Sequence, residues 1–182
     1  MTLIKNIPNI ITGLRIIGTG CLLFTKPLST WFYIIYILTG VTDVLDGFIA
    51  RKTGCTSEFG ARLDSIADIL FYAVLLIRLL PEMIKILPSW IWIFVGVILV
   101  IRAAAYATAY VKYRRFASLH TYMNKLTGTS IFLFPFSMAF PIATPVAIAV
   151  CCIAVWASSE ELLIHLLHGG YSEGAKSIFL MK

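Results

Sequence analysis

The chain has 182 residues, 59% of them hydrophobic and 13% Asp, Glu, Lys or Arg. Soluble domains carry about 25% charged residues, so this composition argues against a water-soluble globule. Fifteen Lys and Arg against nine Asp and Glu leave a net charge of +6. With no basic run or aromatic-interleaved basic stripe, that excess points to anionic lipid headgroups and away from nucleic acid.

Six bilayer spans of about 20 residues need about 120 in all, which the length accommodates within a single domain over residues 1–182. In chain order the predicted helices run over 9–25, 29–50, 62–80, 88–112, 121–140 and 143–167. The first contains Arg15 within its apolar stretch and no small-residue cleavage site follows it, so the N-terminus is expected to be retained. The stretches Pro27 to Thr42 and Ile86 to Ile101 are uncharged. So is Leu126 to Ser159, which is too long for one span, and Phe140-Pro141 and Pro145 mark its expected reversal. Lys5, Arg51, Lys52, Arg62, Lys112, Arg114, Arg115, Lys176 and Lys182 fall on one side, and Lys26, Arg78 and Lys85 on the other. The positive-inside rule then places both termini and the second and fourth connections in the cytoplasm. Cys21, Cys55, Cys151 and Cys152 form no CxxC pair and read as small apolar residues.

Four of the nine acidic residues, Asp43, Asp46, Asp64 and Asp68, lie within 26 positions. Asp43 and Asp46 are spaced i, i+3 near the end of the second helix; Asp64 and Asp68 are spaced i, i+4 at the start of the third. Each pair therefore shares one helix face. A carboxylate inside a span costs on the order of 2.5–3.5 kcal/mol, so four of them need partners, water or cations. A hairpin from Gly47 to Gly60 is expected to bring the two pairs to one level, where like charges need a cation between them. Oxygen donors without His or Cys suit a hard cation, Mg2+ or Mn2+, and four carboxylates suffice for two. A metal pair about 3.5–4 Å apart is a known clamp for displacement at phosphorus. Two other readings stand beside it: a cation or proton pathway in a small transporter, and carboxylates paired structurally with Arg51, Arg62 and Arg102.

The run Asp43-Val-Leu-Asp46-Gly47-Phe-Ile-Ala50-Arg51, eight further residues, then Gly60-Ala-Arg-Leu-Asp64-Ser-Ile-Ala-Asp68 resembles the signature of the CDP-alcohol phosphotransferase family at every fixed position. The opening Pro8-Asn9-Ile-Ile-Thr12-Gly-Leu-Arg15 is similar to that family's first-helix pattern. The resemblance implies an all-α membrane protein, a six-transmembrane-helix bundle acting as a homodimer. The implied reaction is metal-dependent transfer of a phosphatidyl group from CDP-diacylglycerol to a small polar alcohol, releasing CMP, as a step in phospholipid synthesis.

The same resemblance implies metal ligation by Asp43, Asp46 and Asp64, with Asp68 as a ligand or the general base. It places Gly47, Ala50 and Gly60 around the cytidine, and Asn9, Thr12 and Arg51 near the nucleotide and its phosphates. Asn9, Thr12 and Arg15 are spaced by three and share one side of the first helix. For the acceptor, Arg102, Arg114, Arg115 and Lys125 are the cations available, and glycerol 3-phosphate is the first expectation. Ser65 and Ile69 depart from the phosphatidylglycerophosphate synthase branch, which usually has proline and lysine there, and inositol phosphate and serine stay open as acceptors. Glu160 and Glu161 are expected to pair with Arg102 or Lys112, and His165 and His168 to be interface residues.

Overall fold

The computed structural model describes the backbone of residues 2–53, 58–114 and 121–167, and the side chains of 10–42, 60, 63–114 and 121–167. Among the described residues there are six helices and no strand: α1 (Thr2–Phe24), α2 (Thr30–Thr53), α3 (Glu58–Ile86), α4 (Ile91–Tyr113), α5 (Tyr122–Ser137) and α6 (Ala143–Leu167). The chain divides into two compact units, residues 1–83 and 84–182.

Among the boundaries that differ from expectation, three involve prolines. α1 begins at Thr2, so Pro8 lies inside it, past the first turn, where it forgoes the one backbone bond an N–H would make to the carbonyl four residues earlier. α3 runs on through Pro81 to Ile86, likewise forgoing one backbone bond. α5 stops at Ser137, where Pro135 lies inside its last turn and Met138 N bonds Pro135 O in a tightened turn. Gly47 and Gly60 are not in a hairpin loop: α2 carries the first and α3 the second.

In the first unit, α1 buries Thr12, Arg15, Thr19 and Leu22, a stripe at helical spacing. α2 packs on α1 and buries Phe32, Tyr36 and Thr39. The side chain of Thr39 fills the space beside Gly18, where an added Cβ would lie 2.5 Å from Thr39 Oγ1. Tyr36 stacks on Phe71 of α3, with ring centroids 5.8 Å apart. The guanidinium of Arg78, also on α3, donates to Thr25 O just beyond the end of α1.

In the second unit α6 packs against both α4 and α5. Its buried face is small: Ala143, Ala147, Cys151, Ala154 and Ser158 recur at helical spacing, and α4 contributes the fully buried Ala105 and Ala109. Small residues let helices come close where hydrophobic exclusion does not drive association. Cys151 sits in this face as a free thiol, and Cys21 and Cys152 are free as well; Cys55 lies outside the described residues.

α4 and α6 are long and apolar enough to cross a membrane. The core helix of a soluble protein would be covered, but only 11% of α4's apolar window is buried. Ile93, Leu99, Val100 and Val111 of α4 are exposed, as are Ile17, Ile69 and Ile77 in the first unit. Apolar surface on this scale suits a lipid surrounding, the setting of a membrane protein. Within the described side chains α1 and α2 contain shorter apolar segments, Ile10–Phe24 and Thr30–Thr42.

Candidate active site

Within α3, Asp64 and Asp68 are one turn apart with the fully buried Ala67 between them. Their carboxylates converge on α1: Arg15 Nη1 donates to Asp64 Oδ1 at 2.8 Å and to Asp68 Oδ1 at 2.6 Å. The side chain of Arg15 is 1% exposed, whereas those of Asp64 and Asp68 are 43% and 40% exposed. The guanidinium thus anchors the carboxylates from the buried side, and the acids line an accessible surface. Charge-assisted bonds of this length are strong and directional. Thr19 Oγ1 donates to Arg15 O at 2.8 Å, which leaves the α1 backbone helical beneath the ion pair.

A positive charge lies between these two acids, as their proximity requires, and its source is Arg15. Sequence reasoning put Arg15 on the side of Asn9 and Thr12 but assigned it no contact. The signal was available, since Arg15 is the one charge between Asn9 and Phe24. Thr12 is buried one turn before it. The structural pairing considered for the acids fails for Arg102, which is engaged by Glu161 and Asn124. The side chains of Asn9, Asp43, Asp46, Ala50, Arg51 and Arg62 lie outside the described part, although their backbones are helical, as is that of Gly47. Gly60 is half-buried in α3.

Two carboxylates gathered around one positive nitrogen form an oxygen-only donor set, which fits a hard divalent cation. Among the described residues no group of three or more His, Cys, Asp and Glu is placed to hold a metal, and Asp43 and Asp46 are not among the side chains described.

A second polar cluster joins the three helices of the other unit. Arg102 Nη1 donates to Glu161 Oε2 at 2.7 Å, and Arg102 Nη2 donates to Asn124 Oδ1 at 2.8 Å. Asn124 Nδ2 closes the triangle on Glu161 Oε2 at 2.9 Å. The expected pairing of Glu161 with Arg102 is present. Lys112 takes no acid; its ammonium donates to His165 O and Leu166 O at the end of α6. His165 is buried and edge-on to Tyr113, with centroids 5.7 Å apart, and is not exposed at an interface. Arg114 closes α4 in the left-handed region at φ 56°, its N–H bonded to Tyr110 O, and its side chain is exposed, as is that of Lys125. Arg115, His120 and His168 lie outside the described residues.

The family model for CDP-alcohol phosphatidyltransferase matches residues 5–164 of the chain. A CDP-diacylglycerol–glycerol-3-phosphate 3-phosphatidyltransferase of Pseudomonas fluorescens is 42% identical over 83 residues, 42% of this chain and 42% of that protein. Its namesake in Cereibacter sphaeroides is 44% identical over 69 residues, covering 35% and 31%. A CDP-diacylglycerol–serine O-phosphatidyltransferase of Methanocaldococcus jannaschii is 47% identical over 66 residues, covering 36% and 27%. The chain thus matches less than half the length of each of these relatives. No solved structure matches.

Proposed function

Because the chain belongs to the CDP-alcohol phosphatidyltransferase family, we propose that it transfers the phosphatidyl group of CDP-diacylglycerol to a small polar alcohol, glycerol 3-phosphate first, and releases CMP. The observation that carries this reading is the convergence of Asp64 and Asp68 on one cationic nitrogen inside the matched region. Support for the acceptor comes from the relatives named for glycerol 3-phosphate. Serine is the second reading, favoured by the relative named for it and by Ser65 directly after Asp64.

Asp43, Asp46, Asp64 and Asp68 hold two divalent cations, Mg2+ or Mn2+. When bound, these supply neutralisation of the diphosphate and of the departing CMP. Asn9, Thr12 and Arg51 approach the nucleotide and its phosphates, and Gly47, Ala50 and Gly60 leave space for the cytidine. The acceptor hydroxyl forms its bond to the phosphatidyl phosphorus as the bond from that phosphorus to CMP breaks, and its proton passes to the Asp68 carboxylate. Arg15 holds Asp68 from the buried side, so the carboxylate keeps one orientation toward the substrate. Arg102, Arg114, Arg115 and Lys125 serve the acceptor.

The whole chain is one membrane-embedded domain of six spans, working as a homodimer in the cell membrane, with both termini and the reaction centre in the cytoplasm. The nine-to-three division of basic residues supports that orientation. The decisive experiment offers glycerol 3-phosphate, inositol, inositol phosphate and serine to the purified protein with CDP-diacylglycerol and Mg2+, and identifies the lipid product by mass spectrometry. Phosphatidylglycerophosphate with stoichiometric CMP is the expected result. Nucleotide-independent solute flux in liposomes without any transfer would make the protein a transporter instead.

A further inference from the structure

We propose that Arg15 is a resident competitor of the divalent cations: it gathers Asp64 and Asp68 before metal binds, and it limits how tightly they then hold Mg2+ or Mn2+. This rests on the metal reading given above. One nitrogen of Arg15, Nη1, donates to Oδ1 of both carboxylates, at 2.8 Å and 2.6 Å. Any cation that these acids take up is therefore a near neighbour of the guanidinium.

That neighbour opposes the metal, and it can neither discharge nor leave. A guanidinium does not lose its proton, so its charge persists as the metal arrives. Its side chain is 1% exposed, and water and salt screen a buried charge poorly. An arginine at the surface would swing aside, but Arg15 belongs to the buried stripe of Thr12, Thr19 and Leu22. The helix beneath it is held as well. Thr19 Oγ1 donates to Arg15 O at 2.8 Å, and α1 lies against α2, where Thr39 fills the space beside Gly18. The part-exposed carboxylates meet a cation from the accessible side, while the opposing charge stays fixed behind them.

Arg15 also favours the metal in one respect. Without it, two like charges one turn apart repel each other, and gathering them beforehand spares part of the ordering that binding requires. That gain is small, because an aspartate side chain is short and loses little rotamer freedom. The opposition is larger, because Coulomb repulsion grows with the product of the charges and the metal carries two. Repulsion sets the sign, so the site holds its cations less tightly with Arg15 than without it, which keeps them exchangeable.

The test measures Mn2+ binding to the full chain in detergent, by calorimetry and by the spin resonance of free Mn2+, with no nucleotide or acceptor present. Arg15→Gln is expected to bind Mn2+ about tenfold more tightly than wild type, and Arg15→Lys, which keeps the charge, within about threefold of it. Equal or weaker binding in Arg15→Gln overturns the proposal. If that variant folds only with Mn2+ present, back-titration with a chelator gives its constant. If it folds under no condition, Arg15→Lys decides: binding near the wild-type value supports the proposal, and a tenfold loss assigns Arg15 to ligand geometry and overturns it. Asp64→Asn locates the site, and wild-type binding that this substitution leaves unchanged lies elsewhere and also overturns the proposal. Tighter binding in Arg15→Gln, with no transfer by wild type to any acceptor, would refute the reaction proposed above and leave this inference standing.

Discussion

Arg15 and Asp68 come from helices 53 positions apart in sequence and meet at 2.6 Å, the arginine buried and the aspartate part-exposed. Arg15 is thus the counter-charge of the carboxylate proposed to take the acceptor's proton. In Arg15→Gln, Asp64 and Asp68 lose their shared cation and repel each other. Because these acids are partly solvated, the expected loss is about 2 kcal/mol, below the 3–5 typical of a fully buried broken pair. The loss should be largest in chelator and shrink when millimolar Mg2+ is added, since a bound cation replaces the missing charge. Melting curves with and without Mg2+ check this; an equal loss in both would separate Arg15 from the metal site.

Asp68→Asn keeps an oxygen that accepts from Arg15, so the fold should survive while the base is lost. A general base contributes about 10²–10⁴-fold, and kcat should fall within that range with the melting temperature little changed. Asp64→Asn removes a ligand charge and should raise the Mg2+ concentration for half-maximal rate. A CMP-release assay titrated with Mg2+ reads both effects, and full turnover in both variants would sink the assignment.

Gly18 faces Thr39 with no room for a Cβ, which would stand 2.5 Å from Oγ1. Gly18→Ala should therefore destabilise the α1–α2 contact by about 1–3 kcal/mol, as overpacking does. Adding Thr39→Ala removes the clashing oxygen and should recover most of the loss. A double-mutant cycle on thermal stability would show a coupling well above the additivity error of about 0.5 kcal/mol.

Lys112 donates to two carbonyls at the end of α6, where a cation also meets the negative end of the helix. Lys112→Met keeps the apolar stem and removes the donor, and should cost about 1 kcal/mol. Lys112→Arg should retain most of the stability, and because the site is partly exposed the difference should narrow as salt rises. Thermal unfolding at low and high ionic strength is the measurement.

Much of this protein is written in local patterns. The apolar runs between charges carry the six helices of the described residues, two of them long and apolar enough to cross a membrane. The spacing from Asp43 to Asp68 carries the proposed reaction centre, because i, i+3 and i, i+4 spacings on a helix put pairs of residues on one face. The ends of helices were less legible: the expected first helix starts after Pro8 and the third stops before Pro81, yet α1 and α3 run through them, each forgoing one backbone bond that a long helix tolerates.

Partnership could not be read at all from periodicity. Arg15, Arg51, Arg62 and Arg102 are equivalent cations in a linear reading, and no pattern says which meets which acid. Packing resolves it: the stripe Thr12, Arg15, Thr19 and Leu22 buries one side of α1 and brings its guanidinium to Asp64 and Asp68. The small face of α6 lets Glu161 come within 2.7 Å of Arg102. Chemistry-bearing residue types and their helical faces follow from short-range order. The choice of counter-ion depends on contacts over 49 to 59 positions, which exist only once the helices have packed.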